Sequence, residues 1–329
     1  MDVNVKNHSL CVTVKIWIWG GKMRGIRVLF SLLFLVVWGC GENDAGVKVD
    51  MTVTEQVVFK EDPDTIAYAY LPQYSHTESY RRHHGIVQYL RRETGLDLRQ
   101  VFPDTFDKHM KMLGENKIDI SFSNPFFYVK IAGKYHARAF ARIVEVPDKE
   151  QFRGQVICRR DNAAIQTIAD CRNRRWIAVD PSSAGGYLYP LGLFFNHGIR
   201  RSDFQEIAFA PGPGGKQEKV IFSVYAGKYD IGTIREGALD VVAGKIDVPG
   251  IRVIARTDPL PGWVYAANES LDREVVERIK RSLINLDFNR PRHRGILKAA
   301  DFIKVVSSQD SDFNPVRDLI AVLGMEAVP

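Results

Sequence analysis

Four cysteines in 329 residues are too few for a disulfide-built scaffold. Cys11 and Cys40 precede the globular pattern, which leaves Cys158 and Cys171 as a potential pair. Their settings, a strand-like run and the end of a helix-like one, favour two small buried hydrophobes over a bridge. Repeats of 20–50 residues are missing, which excludes a solenoid. A metal-ligand cluster is missing too: His83 and His84 are neighbours that point apart on a basic helix, and His76, His109, His136, His197 and His293 are isolated. Neither Cys158 nor Cys171 has a serine- or glycine-rich strand end or a suitably spaced histidine, so no thiol enzyme is indicated. An excess of one charge is also lacking. The formal net charge is +6, but Lys6, Lys15, Lys22, Arg24 and Arg27 stand against Asp2 alone in residues 1–39. Without them, 40 of the 45 basic and 38 of the 39 acidic residues remain, a net of +2. That near-neutral remainder carries no electrostatic footprint for nucleic acid.

What the N-terminus does contain is an address. Arg24 and Arg27 precede the apolar stretch Val28–Trp38, whose eleven residues fall short of the roughly 20 that span a bilayer and suit an export signal. It ends in Val37-Trp38-Gly39-Cys40, which resembles a bacterial lipobox with Cys40 as the lipidated residue. Residues 1–40 therefore read as a lipoprotein signal peptide, with translation starting at Met23 because residues 1–22 fit no signal pattern. The small, polar stretch that follows makes residues 41–61 a tether. Export places the mature chain in the periplasm or at the cell surface, held to the membrane by a lipid.

Beyond the tether, short apolar runs alternate with amphipathic ones, the pattern of βαβ units. Thr65–Tyr70, Lys117–Phe122, Gly154–Arg159, Arg175–Asp180, Glu206–Phe209, Tyr229–Gly232 and Ile251–Ala255 read as strands. Helical spacing marks Thr77–Glu93, Phe106–Leu113 and the segment carrying Val275, Val276, Ile279, Leu283 and Ile284. The length suits two α/β domains.

Ligands of open α/β sheets bind beyond the carboxyl ends of strands, and two such ends carry turns of small polar residues. Asp180-Pro181-Ser182-Ser183-Ala184-Gly185-Gly186 is the first. A helix starting at Ala184, with Pro190 bending or delaying it, would aim free amides and the positive end of its dipole at an anion. Ser182 and Ser183 add hydroxyls, and Gly185 admits a close approach. The same residues also read as an ordinary serine cap. Ser123-Asn124-Pro125 repeats the arrangement more weakly, with Pro at the first helical position. Further on, Arg235 offers a fork of donors suited to oxyanions, and Glu236 could take a proton from a protonated oxyanion. An unremarkable surface Arg–Glu pair is the competing reading.

Taken together, Lys117–Tyr128 (KIDISFSNPFFY), Trp176–Pro190 (WIAVDPSSAGGYLYP) and Lys219–Glu236 (KVIFSVYAGKYDIGTIRE) resemble the phosphate/phosphite/phosphonate-binding receptors of ABC importers, over residues 62–325. The resemblance implies a type II periplasmic-binding fold. Its two lobes would be residues 62–146 plus 252–329 and residues 147–251, each a mostly parallel sheet flanked by helices, joined by crossing strands near Ala141–Val146 and Ile251–Thr257. It implies that Ser182, Ser183 and the following amides of Ala184 and Gly185 grip the oxyanion, while Tyr74, Ser123 and Asn124 close from the other lobe. Where the family often carries a Ser-His pair, this chain has Gly215-Lys216-Gln217, and Lys216 is the candidate cation in its place. The implied protein is a monomeric receptor without cofactor or metal that hands a small oxyanion to membrane permease subunits. A sensory receptor signalling through a separate partner is the alternative.

Replacing Cys40 with Ser is expected to abolish incorporation of radiolabelled palmitate and release the chain from the membrane fraction; unchanged labelling would sink the lipid-anchor reading.

Overall fold

The computed structural model describes residues 65–145 and 151–326. The expected signal, Cys40 and the tether lie outside the described residues. The chain runs β1 (Ile66–Tyr70), α1 (His76–Thr94), β2 (Leu98–Val101), α2 (Phe106–Gly114), β3 (Ile120–Ser123), α3 (Pro125–Tyr135), β4 (Arg138–Val144), β5 (Gln151–Phe152), β6 (Gly154–Arg159) and β7 (Arg175–Ala178). It continues with α4 (Tyr189–Asn196), β8 (Glu206–Phe209), α5 (Lys216–Tyr225), β9 (Ile231–Arg235), α6 (Ala238–Val241), β10 (Ile251–Arg256), β11 (Leu260–Pro261) and β12 (Val264–Ala267). The last elements are α7 (Arg273–Ile284), α8 (Pro291–Ala300), β13 (Lys304–Ser307) and α9 (Asn314–Val322).

Two sheets form, a six-stranded one in the order β13-β4-β12-β3-β1-β2 and a five-stranded one in the order β10-β6-β9-β7-β8. Each contains a parallel triplet, β2-β1-β3 and β8-β7-β9, built by crossovers through helices. The sheets are mixed, not mostly parallel as expected. After β4 the chain leaves the first sheet and joins the second on β6; after β10 it returns on β12. Both arriving strands run antiparallel to their neighbours, because each starts at the edge facing the other sheet, where the parallel strands end. β10 pairs with β6 along its length, so residues 252–256, expected in the first lobe, lie in the second sheet. A two-stranded ribbon of β5 and β11 sits on the two passages between sheets.

Both faces of the five-stranded sheet are buried, one around Trp176, Phe194 and Phe204 and the other around Ile177, Val220 and Ile234. The first sheet holds a larger core that includes Tyr68, Phe126, Phe127 and Tyr265 and extends across to Phe152, Leu188 and Tyr189. Cys158 and Cys171 are free and buried in the second sheet's core.

The turn after β7 shows how sequence sets the site's backbone. Pro190 has no N–H to give the carbonyl four residues back, at Gly186. That oxygen instead accepts from the Thr233 hydroxyl at 2.6 Å and the Val179 amide at 3.3 Å, while Thr233 accepts from the Trp176 indole at 2.8 Å. Freed of α-geometry, Ala184–Leu188 winds as a single π-turn in which Leu188 N–H donates to Ser183 carbonyl at 2.9 Å. The turn is thereby pinned to β7 and β9.

Two predictions follow from these packings. A methyl group at Gly186 would lie 2.4 Å from a Val179 carbon and 2.8 Å from Ser183 Oγ, so Gly186→Ala is expected to cost about 1–3 kcal/mol in urea denaturation; a neutral substitution would contradict the pinned turn. His83 and His109 are buried, and burial lowers both pKa values to about 3, with Arg82 adding to the effect on His83. The folded values lie below the unfolded 6.5, so the stability these neutral rings contribute is whole above pH 6.5 and drains away as pH falls towards 3. Denaturation at pH 5 against pH 7 is expected to show a loss of roughly 2 kcal/mol per histidine. His109→Gln should remove one such share, and an unchanged pH difference in that variant would overturn the assignment.

Candidate functional site

The carboxyl ends of β1, β3, β7 and β9 face one another across the junction of the two sheets. Ser123 ends β3 and Asn124 caps α3. The Asn124 side-chain oxygen accepts from the amides of Phe126 and Phe127, both at 3.0 Å, and across the junction from the amide of Ala184 at 3.2 Å. Its amide nitrogen donates to the Ser182 carbonyl at 3.2 Å. One acceptor oxygen therefore sits where two helix starts point. Ser123 is buried, and its hydroxyl has no partner there.

On the opposing turn, Ser182 N–H donates to Asp180 Oδ1 at 2.9 Å and Ser182 Oγ accepts from Lys130 Nζ at 2.9 Å. Ser183 Oγ accepts from the Gly186 amide at 3.1 Å. A side chain at Gly185 would collide with Phe152 at 2.7 Å and lie 3.3 Å from Arg235 Cα, so only glycine lets the turn lie this close to β9. Burial lowers the Lys130 pKa against the pull of Asp180, and burial raises that of Asp180 against the Ser182 amide and Lys216.

Arg235, the last residue of β9, is the most enclosed cation of the junction. It donates from Nη1 to the Tyr74 hydroxyl at 3.3 Å and from Nη2 to Glu145 Oε1. Burial works against its charge, and Glu145, Tyr74 and Asp301 together outweigh burial, so the guanidinium pKa is raised. Tyr74 is buried, with Arg82 Cζ stacked 4.4 Å from the centre of its ring. These side chains enclose a cavity of about 20 Å³ that Phe122 and Trp263 also line.

The structure thus brings Tyr74, Ser123, Asn124, Ser182, Ser183, Ala184, Gly185 and Arg235 to one junction. It does not bring Glu236, which follows the strand end, forms an ion pair with Arg256 at 3.7 Å and is 40% exposed. Successive strand residues face opposite ways, so once Arg235 points inward Glu236 does not. Lys216 also turns aside: its ammonium donates to the Ala210 carbonyl at 2.7 Å and lies 3.6 Å from Asp180 Oδ2. Its neighbour Gln217 meets the other lobe instead, its backbone amide donating to the Gln73 carbonyl at 3.2 Å, while within its own lobe its side-chain oxygen accepts from the Arg235 amide at 3.1 Å. The sequence reading missed Gln217, Lys130 and Glu145; a carboxylate directly after the β4 run RAFARIV was the available signal for the last.

The arrangement binds rather than reacts. It offers hydroxyls, helix-start amides and two cations. The thiols are held protonated, with burial pushing Cys171 up to about 12 and raising Cys158 as well. No cluster of metal-ligating side chains exists among the described residues.

Comparison with known proteins agrees. Residues 68–313 match the family model described as ABC transporter, phosphonate, periplasmic substrate-binding protein. The phosphate-import protein PhnD of Mycolicibacterium smegmatis is 23% identical over 227 residues, covering 66% of this chain and 70% of that one. PhnD1 of Prochlorococcus marinus, solved in complex with methylphosphonate, superposes with a TM-score of 0.73 at 12% identity, covering 80% of this chain and 100% of that one. A binding-protein component of a phosphonate ABC transporter from Pseudomonas aeruginosa gives a TM-score of 0.71 at 16% identity, over 80% and 87% of the respective chains. These structures share the two-lobed periplasmic-binding fold. The chain belongs to the family of periplasmic phosphonate substrate-binding proteins of ABC transporters, whose members are extracytoplasmic transport receptors and not enzymes.

Proposed function

We propose that this chain is a monomeric receptor, anchored through a lipid on Cys40, that captures a phosphorus oxyanion (phosphonate, phosphite or phosphate) between its lobes and presents it to the permease subunits of an importer. The carrying observation is the Asn124 side-chain oxygen, which collects amides from α3 and from Ala184 beside the unpartnered hydroxyl of Ser123. Helix starts attract anions through free N–H groups and the dipole. An oxyanion would share this place, gripped by the hydroxyls of Ser123, Ser182 and Ser183 and the amides of Ala184 and Gly185, with Lys130 supplying charge at the turn and Arg235 lying beside it. Lys216 and Glu236 leave the ligand set that the sequence suggested. Lobe closure supplies the signal: a ligand that contacts both lobes only when they meet favours the closed form. The relatives lend no support to the sensory alternative.

A thermal-denaturation series with phosphate, phosphite, methylphosphonate and sulfate tests the reading. A phosphorus oxyanion at 100 times its dissociation constant is expected to add about 2.7 kcal/mol. Ser182→Ala combined with Ser183→Ala should weaken binding about 10- to 100-fold, the worth of charge-assisted hydrogen bonds. Stability unmoved by all three phosphorus oxyanions would reject the proposal.

A further inference from the structure

The guanidinium of Arg235 is used on only part of its surface. Its Nη2 meets Glu145 and its Nη1 meets Tyr74, while its Nε has no partner although the side chain is just 7% exposed. The edge formed by Nε and Nη2 is the one that takes a carboxylate with two parallel bonds, and Glu145 fills half of it. Glu145 comes from the opposite sheet at the end of β4, and its side chain is 20% exposed, so it has a way out to solvent. The second arginine lining the cavity, Arg82, is held by Glu78 at 2.7 Å and Asp301 at 3.0 Å. Glu145 is therefore the one carboxylate paired with Arg235 among the described residues.

The cavity lies beside the anion turn, since a Gly185 methyl would sit 3.1 Å from Arg235 Cβ. Two acceptors supplied by the protein itself thus occupy neighbouring places: the Asn124 oxygen at the helix starts and the Glu145 carboxylate at Arg235. The rings of Phe122 and Trp263 wall the space near Arg235, with the Arg235 Cζ 6.0 Å from the Trp263 ring centre. A short apolar linker between two acidic groups matches such walls.

We propose that Arg235 forms a subsite for a second anionic group, so that the preferred ligand is a short alkylphosphonate ending in a carboxylate, which displaces Glu145 and takes both Nε and Nη2. This rests on the oxyanion reading above. The cavity's two carboxylates, Glu145 and Asp301, are each already paired with a guanidinium, so an ammonium-bearing substituent gains no free partner there. A plain methyl substituent leaves the pair of Arg235 and Glu145 intact and gains nothing from it.

Calorimetric titration of the full chain in detergent with methylphosphonate, 2-aminoethylphosphonate, phosphonoacetate and 3-phosphonopropionate tests this. One of the two carboxylate ligands is expected to bind at least about tenfold more tightly than methylphosphonate, the return of one charge-assisted pair. Glu145→Gln should widen that preference by removing the internal competitor, and Arg235→Gln should collapse it towards unity. The opposite responses of the two variants guard against a folding defect in either one. Methylphosphonate or the aminoalkyl ligand binding as tightly as both carboxylates, or a preference that ignores both variants, would overturn the subsite while leaving the oxyanion reading standing. Failure of all four ligands to bind would overturn the subsite, and failure of phosphate and phosphite in the same titration would overturn the oxyanion reading as well.

Discussion

Three backbone amides and one side-chain oxygen hold the two halves of this molecule in register. The Asn124 oxygen caps α3 through Phe126 and Phe127 and reaches across to Ala184. A buried amide without a partner costs more than a net hydrogen bond returns, so the halves cannot meet here unless something supplies acceptor oxygens at this point. Pinning the 184–188 turn through Thr233 and Trp176 keeps the Ala184 amide aimed. The antiparallel arrival of β6 and β12 brings the carboxyl ends of both parallel triplets to the same seam. Architecture and chemistry therefore converge on one constraint: two sets of free donors, aimed at each other, need a shared acceptor.

Electrostatics around that seam are paired almost throughout. Lys216 is near Asp180, Lys130 bonds Ser182, and Arg235 meets Glu145. Buried ions are tolerated when partnered and hydrogen-bonded and are costly when stranded. The seam meets that condition with groups drawn from both sheets, so its charges are balanced when the halves are together and exposed to water when they part.

Much of this could be read from the sequence, and the failures have definite causes. β1 and α1 stood out because an apolar run is followed by residues at helical spacing that form a buried stripe; the Ser75 cap that starts the helix was not singled out. The strand expected at Lys117–Phe122 begins only at Ile120, because the Asp119 carboxylate is spent on the Ala67 amide at 2.7 Å. The strand expected at Tyr229–Gly232 shifts to Ile231–Arg235, since Asp230 bonds the Arg175 amide at 2.8 Å. That shift matters, for it carries Arg235 inward and leaves Glu236 outside. The turn Asp180–Gly186 was legible from its small residues. The Glu145 partnership was not, because 90 residues separate it from Arg235 and no local pattern links them. Likewise Lys216 and Gln217 differ by one step of helix phase, which only the packed start of α5 decides.

The two buried thiols have a consequence for how the molecule is made. Cys158 and Cys171 are unlinked, and burial holds them protonated, so the described fold closes entirely by non-covalent contacts. A chain of this kind acquires its native form without an oxidant and keeps it in the presence of a reductant. Folding of residues 65–145 and 151–326 is thus indifferent to the thiol–disulfide poise of its surroundings.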